Sequence, residues 1–106
     1  MGSGSVLPVP SNPVSSAKSF YVEQTSQDTF DEIKFIEAGK EIEFTCRSHI
    51  IISDGADIVE FSYDGTTVHG EIKTGEKLDF LDRQVKSIFI KSKAASTPGT
   101  LRIYAW

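Results

Sequence analysis

The chain has 106 residues, enough for one hydrophobic core and too few for two. Hydrophobic residues make up 39% and charged residues 25%, a balance that excludes a disordered or fibrous chain and predicts a folded domain. The net charge of −4 offers no basic footprint for a phosphate backbone, so no nucleic-acid partner is expected. No apolar run approaches the roughly 20 residues of a membrane-spanning helix, and the N-terminus lacks the basic start and apolar stretch of a signal peptide. No membrane partner is expected, and the cytoplasm is the expected place of synthesis. Cys46 is the single cysteine, so no intrachain disulfide can form.

Residues 1–17 hold Pro8, Pro10 and Pro13 among serines, glycines and valines. Proline lacks the amide donor and fixes φ, so this stretch builds neither a helix nor a central strand. It reads as an extended N-terminal arm ahead of a domain over 18–106. At the backbone limit of about 3.3 Å per residue such an arm reaches roughly 50 to 60 Å, far enough to cross a neighbouring subunit. Val6, Leu7, Pro8, Val9, Pro10 and Val14 are its candidate partner-binding residues, through backbone pairing and alternate side-chain pockets.

From Lys18 onward apolar and polar residues alternate with period two, broken about every ten residues by Gly, Asp, Ser or Pro clusters. Strands are predicted over Ser19 to Glu23 and Glu32 to Ile36, the second ending at Ala38-Gly39-Lys40. The only helix candidate, near Ser26 to Lys34, is short and rich in poor helix formers, so no helix is predicted. The clearest alternation follows, with Ile42, Phe44 and Cys46 directed inward against Glu41, Glu43, Thr45 and Arg47. His49 to Ile52 runs to a turn at Ser53-Asp54-Gly55-Ala56. Val59, Phe61 and Tyr63 then lead through Asp64-Gly65, read as a tight hairpin turn, to Val68, Gly70 and Ile72. Thr74-Gly75-Glu76 turns the chain toward Leu78 and Phe80, and Asp82 to Val85 leads into Ser87 to Lys91. After a loop over Lys93 to Gly99, Thr100 to Trp106 closes the domain, with Leu101, Ile103 and Ala105 on one face and Arg102, Tyr104 and Trp106 on the other.

About eight short strands with turns at this spacing predict an all-β, antiparallel β-sandwich, either a jelly roll or another Greek-key arrangement. Strand order is not encoded in the alternation. His49, His69 and Cys46 lack ligand-like spacing, so neither metal nor cofactor is expected, and both histidines read as surface or edge residues. Asp54-Gly55-Ala56-Asp57 lacks the regular oxygen spacing of a calcium loop and reads as a turn. The carboxylates sit at solvent-facing positions such as Glu41, Glu43 and Glu60, and no nucleophile-base or paired-carboxylate motif appears, so no enzyme activity is expected. Tyr21, Tyr63, Tyr104 and Trp106 are the candidate stacking aromatics. Tyr104 and Trp106 share a strand face, which admits a second reading as a carbohydrate-binding module.

The runs Val59 to Gly70 around Asp64-Gly65, Gly75-Glu76-Lys77-Leu78-Asp79-Phe80, Ser87-Ile88-Phe89-Ile90-Lys91 and Arg102-Ile103-Tyr104-Ala105-Trp106 give residues 59–106 a particular look. This half resembles small β-sandwich virion proteins of tailed bacteriophages, which carry a strand-DG-strand hairpin, a GE-x-L-x-F turn, an S-I-x-I-K strand and a closing strand of this type. The resemblance implies a structural particle component: a head decoration or cement protein, or a neck or tail accessory subunit. Its implied partners are capsid, neck or tail subunits. It is then a homo-oligomer or lattice component of the virion, assembled in the cytoplasm of a bacterial host.

Overall fold

The computed structural model describes residues 18–95 and 97–106. The arm over 1–17, with Val6, Leu7, Pro8, Val9, Pro10 and Val14, lies outside the described residues. Eight strands run through the described residues: β1 (Phe20–Thr25), β2 (Asp31–Lys34), β3 (His49–Ser53), β4 (Val59–Ser62), β5 (Gly70–Ile72), β6 (Lys77–Phe80), β7 (Ser87–Ser92) and β8 (Thr100–Ala105). They form two four-stranded antiparallel sheets, ordered β1-β8-β3-β6 and β2-β7-β4-β5. Only the β4–β5 connection stays within one sheet, and each of the others crosses to the opposite sheet. Two interleaved Greek keys of this order make a jelly roll, which resolves the strand order that alternation left open.

Each strand contributes its alternate apolar residues to the space between the sheets. Ile51 of β3, Ile88 and Ile90 of β7, and Leu101 and Ile103 of β8 are fully buried, with Val59 and Ile72 beside them. Full burial of such a side chain is worth about 1.5–3 kcal/mol, so these few residues dominate the cohesion of the sandwich. The ends are tied by polar contacts. At one end the Ser26 and Ser92 hydroxyls meet at 2.8 Å and the Gly99 amide donates to Ser26 Oγ. At the other, the backbone of Trp106 is clamped by Arg47 and Ser48 amides donating to its carbonyl and by its own amide donating to Ser48.

Four local expectations give way to tertiary context. The 41–47 stretch is not a ladder strand: after the Gly39 turn (φ +77°) it meets residues 35–37 through an isolated Ile36–Glu43 bridge. Its amides then go to two different partners, Phe44 to Phe35 and Cys46 to Val85. Phe44 and Cys46 are buried as expected, but Ile42 is 56% exposed because this small hairpin overhangs the end of the sandwich, where no opposite sheet remains to cover it. Asp64-Gly65 does not make a two-residue turn, since the β4–β5 ladder closes at Phe61–Gly70. Asp64 Oδ1 instead accepts from the amides of Thr66 and Thr67 and from Ser62 Oγ, side-chain bonds that compete with further pairing. Val68 is consequently held outside the ladder and is exposed.

These placements separate two isoleucines that alternation treats alike. Ile103→Ala should lower unfolding free energy by about 2–5 kcal/mol in denaturant titration. Ile42→Ala should change it by about 0.5 kcal/mol or less.

Candidate docking site

In the first sheet, β8 is paired to β1 with Tyr21 opposite Tyr104, and to β3 with Ile50 opposite Tyr104. Because the strand period is two, this register sets Tyr21, Tyr104 and Ile50 in one row across the outer face, and Glu23, Arg102 and Ile52 in the next. The Tyr21 and Tyr104 rings lie 4.8 Å apart at 40°. Arg102 is held by Asp54, through Nε at 2.6 Å and Nη2 at 3.0 Å. That fork raises the Arg102 pKa, and it gives the Asp54 carboxylate a guanidinium partner in the turn that superficially looked like a calcium loop.

Beside this row, where β8 ends and β1 begins, lies an open groove of about 450 Å³. Tyr21, Ile36, Tyr104 and Trp106 are among the residues that line it. The expectation that Tyr104 and Trp106 present rings together holds only in part: both line the groove, but the ring packed at a tilt against Tyr104 belongs to Tyr21. Tyr63 is directed elsewhere, into a cluster with His49, Phe61 and Phe80.

Among the described residues, the large exposed apolar side chains are Tyr21, Ile42, Val68, Leu81 and Trp106. All five belong to one end of the sandwich. Tyr21 is the second residue of β1, Val68 precedes β5, Leu81 follows β6, Trp106 follows β8, and Ile42 sits in the connection after β2. The antiparallel registers and the Phe20–Phe35 and His49–Tyr63 ring contacts bring these strand termini together. Lys18 enters β1 at this same end. Charged residues occupy the loops at both ends, Asp54, Asp57, Lys73 and Glu76 at the opposite one and Glu41, Glu43, Asp82 and Arg83 around the apolar side chains. No single stretch of sequence contains this apolar end, which is why alternation alone did not find Ile42, Val68 and Leu81.

Beneath it lies a buried polar chain. His49 is fully buried, contrary to the surface or edge placement expected, because its position at the start of β3 faces the interior and Phe80 stacks on it at 4.9 Å. Its Nε2 lies 2.8 Å from the Tyr63 hydroxyl and its Nδ1 3.8 Å from Cys46 Sγ, and the thiol donates to the Arg83 carbonyl. A neutral imidazole satisfies all three contacts at once, accepting from Tyr63 at Nε2 and donating to sulfur from Nδ1. Burial pushes the His49 pKa down to about 4, and it raises Tyr63 to about 12 and Cys46 above its ordinary value. Arg83 covers the Tyr63 ring at 4.3 Å. His69 is exposed at the loop, where its Nδ1 accepts from the Tyr63 amide. Among the described residues no group of three or more His, Cys, Asp or Glu side chains converges on a metal-sized point.

Folding lowers the His49 pKa, so the unfolded chain takes up the proton first. The associated stability is complete above the ordinary value of about 6.5 and is lost as pH falls toward about 4. The loss should reach about 3 kcal/mol at pH 4, and His49→Phe should flatten that part of the profile. Chemical denaturation at a series of pH values measures both, and NMR titration of the His49 ring gives its midpoint directly. No protein-family model and no curated protein matches this chain.

Proposed function

We propose that this protein is a non-enzymatic structural subunit of a tailed-bacteriophage virion, a head decoration or cement protein or a neck or tail accessory subunit, that docks end-on against a symmetric protein lattice. The observation that carries the reading is the segregation of Tyr21, Ile42, Val68, Leu81 and Trp106 to the end of the sandwich where the chain leaves toward its arm. Scattered exposed apolar residues need no explanation, but a cluster on one end of a small domain marks a contact surface. Residues 1–17 lead from the same end, so docking and arm contacts reinforce one another through effective concentration. Burying surface on two or more subunits at once stabilises the assembled state over the dissociated one. Jelly rolls serve as both capsid and lectin domains, so the fold alone supports either reading and the surface has to choose.

Deletion of residues 2–17, and separately Leu81→Ser with Val68→Ser, should each reduce occupancy on particles of the encoding phage by roughly tenfold or more. Thermal unfolding should stay near that of the parent in both cases. Full occupancy after either change would remove that element from the docking surface.

The groove lined by Tyr21, Tyr104 and Trp106 favours one second reading, a carbohydrate-binding module that stacks a sugar face on these rings. In that case Trp106→Ala abolishes glycan-array binding with unchanged stability. Absence of glycan binding by the parent protein rules the reading out.

A further inference from the structure

Leu81 stands on the apolar end, and the segment that it opens, residues 81–84, is held down by side chains instead of a strand ladder. The Asp82 amide donates to Ser48 Oγ at 2.9 Å, the Cys46 thiol donates to the Arg83 carbonyl, and the Arg83 guanidinium lies 4.3 Å over the Tyr63 ring. Backbone bonds resume only at Val85 and Lys86, whose carbonyls accept from the amides of Cys46 and Phe35. Asp82 also sits at φ +62°, a left-handed conformation that persists where surrounding contacts fix it. Those contacts surround His49: Ser48 precedes it, Cys46 Sγ lies 3.8 Å from its Nδ1, and the Tyr63 hydroxyl lies 2.8 Å from its Nε2.

The arrangement suits one protonation state of His49. A second proton on the ring sets an N–H at Nε2 against the Tyr63 O–H, so the hydroxyl has to reverse and its hydrogen loses its acceptor. Burial opposes the cation most, the Arg83 carbonyl favours it and the Arg83 guanidinium opposes it. Phe80 from β6, Ala105 from β8 and Phe35 after β2 bring no charge to the ring. Tyr63 and Cys46 are neutral in acid, and His69, beyond the Tyr63 ring, can only add positive charge. Asp82 is exposed. The Phe80 face is a favourable neighbour for a cation, but it does not replace lost hydration.

We propose that protonation of His49 opens a latch: Tyr63 and residues 81–84 leave the ring, water reaches it, and Leu81 is withdrawn from the docking end while the sandwich stays folded. Residues 81–84 are all exposed, so freeing them uncovers little of the core, and Ile51, Ile88, Ile90, Leu101 and Ile103 remain in place. Linkage sets the direction. The opened ring takes up a proton near its ordinary value of 6.5 and the closed ring only at about 4, so falling pH favours the open form across that interval. The withdrawal of Leu81 from a partner rests on the docking reading above, whereas the latch belongs to the isolated chain.

Cys46 is the only cysteine and is fully buried, so its reaction with dithiodipyridine, a disulfide that attacks thiols in acid, reports opening in the full chain. Each rate is divided by that of the urea-unfolded chain at the same pH. From pH 7.5 to pH 4.5 the corrected rate should rise roughly 50- to 100-fold, with little dependence on dilute urea. The Asp82 amide should lose hydrogen-exchange protection while the amides of β7 and β8 keep theirs. A flat corrected rate overturns the latch. So does a rise that follows the urea dependence of global unfolding, or protection lost from β7 and β8 together with Asp82. His49→Gln should flatten the rise, and a folded variant that retains it in full also overturns the latch. The readings on the parent chain decide the matter if that variant does not fold. Particle occupancy is scored separately. Occupancy that survives pH 4.5 with the latch open supports the latch and removes Leu81 from the docking surface, whereas occupancy lost with the latch shut overturns the latch and leaves the docking reading standing.

Discussion

The register of β8 between β1 and β3 is the constraint on which most of the molecule depends. Leu101, Ile103 and Ala105 enter the core from this strand, while Arg102 and Tyr104 face outward to Asp54 and Tyr21. A slip of one residue on either side would exchange those sets, burying a guanidinium and exposing two large aliphatic side chains. The cost of burying that charge unpaired greatly exceeds any alternative pairing energy, so the register is strongly specified. The backbone clamp between Trp106 and Ser48 extends the same register one residue further and fixes the wall of the groove.

The sandwich is asymmetric in a way its overall composition conceals. One end gathers the exposed apolar side chains and the groove, while the loops of both ends hold charged residues. The outer face of the second sheet is similarly polar, with Lys91 against Glu60 at 3.5 Å and Lys93 against Glu71 at 2.9 Å. Such surface pairs add little stability, but they keep that face polar. Exposed apolar side chains and the groove thus coincide at one end of the sandwich, and that coincidence gives the docking reading its physical content.

Behind the apolar end, the His49–Tyr63–Cys46 chain provides specificity of a different kind. A buried imidazole is tolerated only while neutral and fully hydrogen-bonded, so Tyr63 and the Arg83 carbonyl have to arrive in fixed positions. This couples the loops after β4 and β6 to the start of β3 beneath the apolar end. Asp64 adds to the same effect: its carboxyl lies well below the usual range because the Thr67 and Thr66 amides and Ser62 donate to it. The loop that carries Val68 is thereby organised by its own side chains.

Period-two alternation determined the all-β class, the existence of most strands and the inward face of β8, because in a sandwich alternate residues of a strand face the opposite sheet and are buried by it. The same period put Tyr104 and Trp106 on the outward side, where both line the groove, but it could not show that Tyr21 is the ring against Tyr104. Alternation could not decide which sheet each strand joins, and so it could not place Tyr21 against Tyr104 or His49 against Tyr63. It also misjudged Ile42 and Val68, whose local pattern matches a strand but which lie past the edge of the core. Those outcomes belong to tertiary structure: burial at a strand end depends on what the opposite sheet supplies, and the chain carries that information only through contacts between residues distant in sequence.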